Sequence, residues 1–386
     1  MASGESTKRS QLGADEIMGV VQAIGAAELR QESEILCVLD GSELRREWAQ
    51  EQEYLMRVKS LEGGLVNGYR TLNVLGLGAK EKRGILYHHL FSSQAPDFES
   101  ENTEIEQAID SVQQGLAGQT VEVTWVMDSG FDNDLVWWKV WEKEAHLVCR
   151  VHHLDRIVQV EVAPGVFQER YLDATFSHLK RLARLETELE VRLHGQKRAR
   201  RQKVTVEIAA SPIWVYTDEK QQPRQTKKVW LVRVEVAGAV EAPWYLITDW
   251  PVIDESSAVR IFIFYRRRWS VEDAFKFLKT VLGMESVQVL DFDAVRTLVA
   301  FAWVAAGFLF KLGLSLDLPE IRLLAILGGW EERANRPPGK IILSRGLRRL
   351  LDKFATDALL RQYKEEHGEL PGFVRAMAKR YGLPEI

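Results

Sequence analysis

The chain has 386 residues and a formal net charge of −4 at pH 7, so its overall charge gives no sign of nucleic-acid binding. A surface that binds a polyanion would have to be local. The hydrophobic fraction of 46% and the charged fraction of 27% are typical of a water-soluble globular protein. The length predicts two or three structural units.

The two cysteines, Cys37 and Cys149, lie in apolar strand-like runs, and we expect buried free thiols in a reducing cytoplasm. Residues 1–10 are polar and lack the apolar core of a signal peptide. The longest apolar run, residues 298–310, is too short to cross a bilayer. We therefore predict a buried core helix there and no association with a membrane.

The first 155 residues alternate between strand and helix patterns. Strands are predicted at 34–40, 72–78, 84–91, 121–127 and 147–151, and helices at 15–30, 101–116 and 134–144. This order predicts a mixed sheet with helices packed on it.

The chain changes character after residue 155. Residues 172–203 form a charged stretch that we predict to be helical, and strand-like runs follow at 204–209, 213–216, 229–236 and 244–248. Helices are then predicted at 264–280 and 294–312, before a helical tail that residues 336–339, Arg-Pro-Pro-Gly, interrupt as a loop.

Residues 264–280 place one carboxylate among anion-binding groups. On an α-helix, Arg268, Glu272 and Lys279 would fall within about 40° of each other, with Tyr265 about 60° from Arg268. This stripe suits work on a phosphate backbone with a metal ion. The simpler interpretation is an i,i+4 ion pair on a solvated face, which adds only a few tenths of a kcal/mol. A separate apolar stripe would bury the helix against a core: Phe264, Val271, Ala274, Leu278 and Val281.

Asp40 and Asp128 both end apolar strand-like runs. Strand carboxyl ends are where side chains of an open α/β sheet meet a ligand, although aspartates there are also common turn residues. If the strands are neighbours, the two carboxylates would raise each other's pKa unless a cation lies between them. With Glu272 they would offer three oxygen ligands of the kind that Mg²⁺ or Mn²⁺ prefers.

The pattern Tyr265-x2-Arg268-x3-Glu272-x6-Lys279 resembles the signature helix of bacterial insertion-sequence DDE transposases with the RNase H-like fold. The segments at 39–40, 76–88, 126–132, 244–251 and 328–347 are similar to other parts of that family. The similarity covers roughly residues 35–350, and its most specific part is the signature helix.

The resemblance implies that Asp40, Asp128 and Glu272 are the catalytic residues and hold two Mg²⁺ ions, with Mn²⁺ able to substitute. It implies that Tyr265, Arg268 and Lys279 bind the DNA backbone of the transposon end. We accordingly expect Arg268 to point along the DNA, leaving Glu272 to face the two aspartates.

The resemblance aligns Trp244 with an aromatic residue that stacks on a flipped base in a relative, although a core position is an equal alternative. A second DNA-binding candidate comes from local charge, because basic residues are densest in the stretch that contains Lys197, Arg198, Arg200 and Arg201. These residues predict a DNA-backbone contact, and the alternative is a solvated loop tip.

We thus predict the α/β class, with an RNase H-like mixed sheet flanked by helices, a β-rich insertion before the last catalytic helix and a helical C-terminal region. The predicted divisions are a helical lead-in at 1–34, core segments at 35–155 and 251–315, the insertion at 156–250, and a region at 316–386 suited to dimerisation. The chain departs from the family at two positions. Family members commonly have threonine after the first aspartate and arginine after the second, where this chain has Gly41 and Ser129.

The predicted function is Mg²⁺-dependent cleavage of transposon ends and 3′-OH strand transfer into target DNA. The chain would work as a homodimer on DNA in the bacterial cytoplasm, associated with the nucleoid. Only 39 residues precede Asp40, too few for a typical end-recognition domain. The alternatives are therefore a truncated transposase that acts as a non-catalytic DNA-binding or dimerising inhibitor, and a metal-dependent nuclease without joining activity.

Overall fold

A computed structural model describes residues 13–79, 82–118, 121–216, 226–286, 288–330 and 339–380. The chain divides into two compact units, Met1–Gly307 and Phe308–Ile386.

The strands are β1 (Glu34–Arg45), β2 (Met56–Lys59), β3 (Leu65–Leu77), β4 (Arg83–Phe91), β5 (Glu122–Met127), β6 (His146–Arg150), β7 (Ile157–Ala163), β8 (Val166–Tyr171), β9 (Lys180–Val191), β10 (Arg200–Tyr216), β11 (Thr226–Val236) and β12 (Trp244–Thr248). The helices are α1 (Ala14–Leu29), α2 (Glu101–Gly115), α3 (Asp134–Glu142), α4 (Glu255–Arg267), α5 (Trp269–Thr280), α6 (Phe292–Ser315), α7 (Leu318–Leu327), α8 (Lys340–His367) and α9 (Gly372–Arg380).

The strands form a single open sheet in the order β2-β3-β1-β5-β6-β12-β11-β10-β7-β8, with β4 on β3 and β9 on β10. β5 pairs in parallel with both β1 and β6, and the other pairs of described strands are antiparallel. The antiparallel β4-β3-β1 meander followed by parallel β5 and β6 is an RNase H-like core. β12 joins the insertion strands to it, so the predicted fold class is confirmed.

Strand β1 is covered on both faces of the sheet, which explains its continuous apolar run. Ile35, Cys37 and Leu39 belong to the buried cluster that includes the side chains of α2 and α3. Alternation along the strand turns Leu36, Val38 and Asp40 to the opposite face. That face receives α4 and α5, so the fold brings the signature helix to the face that carries Asp40.

The predicted helix at 172–203 is wrong. This segment forms a short 3₁₀ turn, Asp173–His178, and then the β9 strand of a long hairpin with β10. Exposed charged side chains alternate with more buried ones along β9, which is the period of a strand. The runs at 204–209 and 213–216 are one strand, β10, and the sequence patterns also missed β2, β7 and β8.

Most of the remaining predicted elements of the core lie close to their expected bounds, but β3 begins at Leu65 rather than at residue 72, and β1 ends at Arg45 rather than at residue 40. Cys37 and Cys149 are buried free thiols, as predicted, and burial raises the pKa of both. The predicted helix at 264–280 is divided at Arg268 between α4 and α5. Residues 336–338 of the predicted loop lie outside the described residues.

Helix α6 is buried on one face only. Val295, Val299 and Trp303 are buried, whereas Leu298 and Phe301 are 40% and 51% exposed, so the prediction of a buried core helix holds for one face of the helix only. By length and composition alone, Phe292–Lys311 would suffice to cross a membrane, although 33% of it is buried. This is weak evidence, because core helices that pack on one side pass the same test.

Helix α1 lies directly on β4 because two glycines let the backbones approach. A Cβ atom on Gly25 would collide with the backbone of Ile85, and one on Gly84 would collide with the carbonyl of Gly25. Gly19, on the same helix, has open space in the direction of a Cβ atom. The close approach therefore depends on the absence of a side chain at Gly25 but not at Gly19.

We expect Gly25→Ala to lower the free energy of unfolding by about 1–3 kcal/mol, because overpacking forces the backbones apart. The measurement is urea unfolding followed by circular dichroism. Gly19→Ala is the matched control, and it should leave stability unchanged or raise it by up to about 1 kcal/mol through helix propensity. Equal effects of the two substitutions would contradict this account of α1 docking.

Candidate active site

Asp40 and Asp128 lie side by side at the carboxyl end of the parallel pairing of β1 with β5. The prediction that Asp40 ends its strand is wrong, because β1 continues to Arg45 through its antiparallel pairing with β3. Leu39 of β1 is in register with Met127 of β5, so the next residue of each strand is an aspartate. Asp40 is 9% exposed and Asp128 is half-buried. The Oδ1 atom of Asp128 accepts a hydrogen bond from Gly130 N at 2.8 Å, which fixes the turn after β5. The strands are therefore neighbours, as the predicted site requires.

Arg268 joins Glu272 to Asp40. Its Nη2 atom donates to Glu272 Oε1 at 2.6 Å, and its Nη1 atom lies 3.4 Å from Asp40 Oδ2. The expectation that Arg268 points away from the carboxylates is wrong for this structure. The reason is electrostatic, because a guanidinium only 8% exposed is stabilised by two adjacent carboxylates rather than by solvent.

The helix break at Arg268 determines where the signature residues point. Arg268 N donates to Tyr265 O at 3.1 Å, and Val271 N donates to Arg268 O at 3.0 Å, so the junction is a tight 3₁₀-like turn. Tyr265 therefore lies in the last turn of α4, while Glu272 lies in the first turn of α5, where the helix dipole favours a negative charge. The predicted apolar stripe anchors both helices, with buried side chains at Phe264, Val271, Ala274 and Leu278.

The site carries more negative charge than its cation balances. Burial, with smaller contributions from Asp128 and Glu272, raises the pKa of Asp40 to about 7 against the opposing effect of Arg268. Burial alone would lower the pKa of Arg268, but Tyr265 and the three carboxylates together raise it. A divalent cation bound to the carboxylates would relieve this repulsion.

Tyr265 and Trp244 lie in an aromatic cluster beside the site. Tyr265 is buried and its ring centroid is 5.5 Å from that of Trp244, which is half-buried and also contacts Phe262 and Trp269. Burial raises the pKa of Tyr265, although Arg268 and a hydrogen bond from Arg150 oppose that rise. The base-stacking role of Trp244 stays a prediction, and its ring contacts agree equally with the core alternative.

Arg150 is a residue that the sequence patterns missed. It ends β6, which pairs in parallel with β5, so it lies at the same sheet edge as Asp128. The rule that strand ends meet a ligand would have indicated this residue as well.

Lys279 is held against β1. Its Nζ atom donates to Glu43 O at 2.6 Å, three residues beyond Asp40 along the strand, and lies 3.5 Å from Glu285 Oε1. Burial lowers its pKa, although Glu285 partly opposes this change. A DNA-binding role for Lys279 stays a prediction.

The basic residues of the insertion lie on the β9–β10 hairpin rather than on a helix. Lys197 and Arg198 are exposed in the connecting turn, and Arg200 and Arg201 begin β10. Arg201 Nε is 3.1 Å from Glu188 Oε2 on the partner strand. Their contact with DNA stays a prediction.

A row of polar side chains supports Asp40 from within the sheet. Asp40 of β1 is opposite Asn73 of β3, which is opposite His88 of β4, so the three side chains share one face. Asn73 Nδ2 donates to Asp40 O at 3.4 Å and to Thr71 Oγ1 at 3.1 Å. His88 Nδ1 and Asn73 Oδ1 are 2.6 Å apart, so the ring donates to the amide oxygen. The buried row ties the β1 backbone at Asp40 to its neighbours.

A second group with metal-ligand chemistry contains Asp132, His152 and His153, whose ligand atoms lie within 4.8 Å of one another. The buried Asp132 Oδ2 accepts hydrogen bonds from the backbone N–H groups of both histidines, at 2.7 and 2.8 Å. Its Oδ1 atom is 2.7 Å from Arg156 Nη2. Because the carboxylate is already satisfied, we interpret Asp132 as a structural residue that fixes the loop after β6.

The fold and the strand-end carboxylates together define an RNase H-like protein with an acidic site. The model of the family described as transposase DDE domain matches residues 95–306, more than half of the chain. The chain therefore belongs to the transposase DDE domain family, and its role is that of a transposase. The match includes Asp128 and Glu272, while Asp40 precedes it. No curated protein matches the chain.

The polar row generates a prediction about acid stability. Burial, with smaller contributions from His89 and Arg296, lowers the pKa of His88 to about 3. An unfolded chain binds this proton below about pH 6.5, so the stability that His88 contributes is lost as the pH falls from there towards 3. Between about pH 7 and pH 5 the linkage amounts to about 2 kcal/mol.

We expect His88→Gln to reduce the loss of unfolding free energy between those two pH values by about 2 kcal/mol, as measured by urea unfolding at each pH. His178→Gln, which removes an exposed histidine of the same unit, should keep the acid dependence of the unsubstituted protein. If both substitutions leave the pH dependence unchanged, His88 does not titrate as its burial requires.

Proposed function

We propose that the chain is the catalytic core of a DDE transposase that cuts transposon ends and joins the 3′-hydroxyl to target DNA. The observation that supports this most is the meeting of Asp40 with Asp128 in register and with Glu272 across Arg268. The reaction would take place on DNA, with the chain acting as a homodimer in the bacterial cytoplasm at the nucleoid. The residues 316–386 are our candidate for dimerisation.

The carboxylates fit a divalent metal site. Asp40, Asp128 and Glu272 supply the hard oxygen donors that Mg²⁺ and Mn²⁺ prefer. The pKa of Asp40 is raised mainly by burial, and the smaller contributions of Asp128 and Glu272 to that rise are ones that a bound cation would reduce. Two Mg²⁺ ions bound there would activate the attacking oxygen and stabilise the leaving oxygen of a phosphodiester. Mn²⁺ would substitute.

The protein side chains around the carboxylates would bind and orient the DNA. Arg268 now balances Asp40 and Glu272, and a cation on those carboxylates would release its charge for a phosphate of the transposon end. Tyr265 and Lys279 would hold the same backbone, and the buried row through Asn73 would keep Asp40 in place. Trp244 would present its indole face to a base.

We expect Glu272→Gln to slow metal-dependent cleavage by at least about 100-fold, because a metal ligand supplies several kcal/mol of transition-state stabilisation. The assay is cleavage of DNA that carries the inverted repeats flanking the gene. Glu255→Gln is the matched control, since Glu255 is an exposed carboxylate in the first turn of α4, and it should retain activity. Full activity of Glu272→Gln would exclude the proposed mechanism.

The products of the same assay separate the proposed function from its two alternatives. A gel that resolves joined strands from nicked strands should show both products with the isolated chain. Nicked products without joined ones would indicate a nuclease, and neither product, with DNA binding retained, would favour a non-catalytic inhibitor.

Metal binding has a readout that is independent of activity. We expect Mn²⁺ to raise the thermal unfolding temperature of the unsubstituted protein, because a ligand that binds only the folded state stabilises it. Asp40→Asn and Asp128→Asn should each reduce that shift, whereas Asp132→Asn should leave it unchanged. A shift that depended on Asp132 instead would place the metal at the histidine group.

A further inference from the structure

A cleft beside the candidate active site is lined by cationic side chains from separate parts of the first unit. Its lining includes Leu77, Ile263, Trp269 and Ser270, and among the described residues it includes no carboxylate. The cationic residues of the lining are Lys82, Arg83, Arg201, Arg266 and Arg267.

The walls of this basic cleft are fixed by hydrogen bonds. Arg266 at the end of α4 donates to Thr187 Oγ1 at 3.0 Å and to Glu188 O at 3.1 Å, which ties the hairpin strand β9 to α4. Arg267 donates to Gly78 O at 2.5 Å and so ties α4 to the turn that follows β3. The oxygen atoms that accept from Arg266 are uncharged, so these contacts leave the positive charge of its guanidinium group within the cleft.

Two ion pairs at the cleft are suited to exchange with an anion. Lys82 Nζ is 2.8 Å from Glu32 Oε1, and Arg201 Nε is 3.1 Å from Glu188 Oε2. The Lys82 and Arg201 side chains are 39% and 73% exposed. The Glu188 side chain is also half-exposed, whereas that of Glu32 is only 10% exposed. Because exposed pairs contribute only about 0–1 kcal/mol, a phosphate can compete for Arg201 at little cost, and Lys82 can approach it with its exposed ammonium group.

The basic cleft is connected to the carboxylates through the start of α5. Trp269 and Ser270 line it and directly follow Arg268, whose guanidinium contacts Asp40 and Glu272. Cations from the turn after β3, from β10 and from the end of α4 are spread along one depression. A series of phosphates along a backbone matches this distribution better than a single small anion does.

We infer that the basic cleft binds the phosphodiester backbone of the DNA that leads to the active site. The inference rests on the proposed function and extends it, because it assigns Lys82, Arg83, Arg266 and Arg267 to the DNA path. It also gives Arg201 a specific location on that path. Sequence recognition is not required of these residues, since contacts to phosphates position DNA without reading its bases.

The test is the salt dependence of binding to a short fluorescent duplex of arbitrary sequence, measured by anisotropy with chelator present so that cleavage is excluded. Lys82→Gln combined with Arg201→Gln should lower the slope of log affinity against log salt by about 2, because each phosphate that is no longer neutralised lowers it by about 1. Arg181→Gln combined with Arg184→Gln is the matched control. It removes two exposed cations from the same hairpin, outside the cleft, and should leave the slope unchanged.

Charge-conserving replacements separate the effect of charge from an effect on folding. Lys82→Arg combined with Arg201→Lys should keep the slope of the unsubstituted protein. If the variant with Lys82→Gln and Arg201→Gln has the same salt slope as the control variant, the inference is overturned and the proposed function is left intact. Suppose that the unsubstituted protein binds and cuts DNA, that cleavage requires Glu272, and that DNA binding does not require the cations of the cleft. Only the assignment of the cleft then fails. Absence of DNA binding by the unsubstituted protein would remove both.

Discussion

The arrangement of the site depends on one buried guanidinium. Arg268 lies at the junction of α4 and α5 and contacts a carboxylate from the sheet and a carboxylate from the helix. Removing either partner would leave a poorly solvated charge, and such losses are expensive in a protein interior. This shared ion pair therefore holds Glu272 beside Asp40.

Residues of the sheet hold the aspartates of the site in place. The parallel register of β1 with β5 sets Asp40 beside Asp128. A hydrogen bond from Asn73 holds the β1 backbone at Asp40, and His88 in turn donates to the Asn73 side chain. Burial keeps His88 neutral, so the support is independent of the charge that the carboxylates carry. Positive charge is concentrated instead in the basic cleft, which explains how a chain of net charge −4 can present a local surface for a polyanion.

Residue patterns predicted the RNase H-like core well because each of its strands has a strong apolar run and each helix has a clear period. They failed at residues 180–191, where charged side chains alternate with leucines and valine in the long β9 strand. The charged stretch predicts a helix, but the pairing of β9 with β10 is a long-range interaction that local propensity does not contain. For the same reason, the local residue patterns did not predict β7 and β8.

The sequence by itself determined the apolar anchoring of α5 and the family, and it predicted the three acidic residues of the candidate site in their order. These follow from local periodicity and from a signature that lies within seventeen consecutive residues. Only the tertiary structure decided that Arg268 faces Asp40 and Glu272, that Arg150 reaches Tyr265, and that distant cations line one cleft. The physical reason is that burial and charge pairing select a side-chain direction only after strands and helices distant in the chain have packed together.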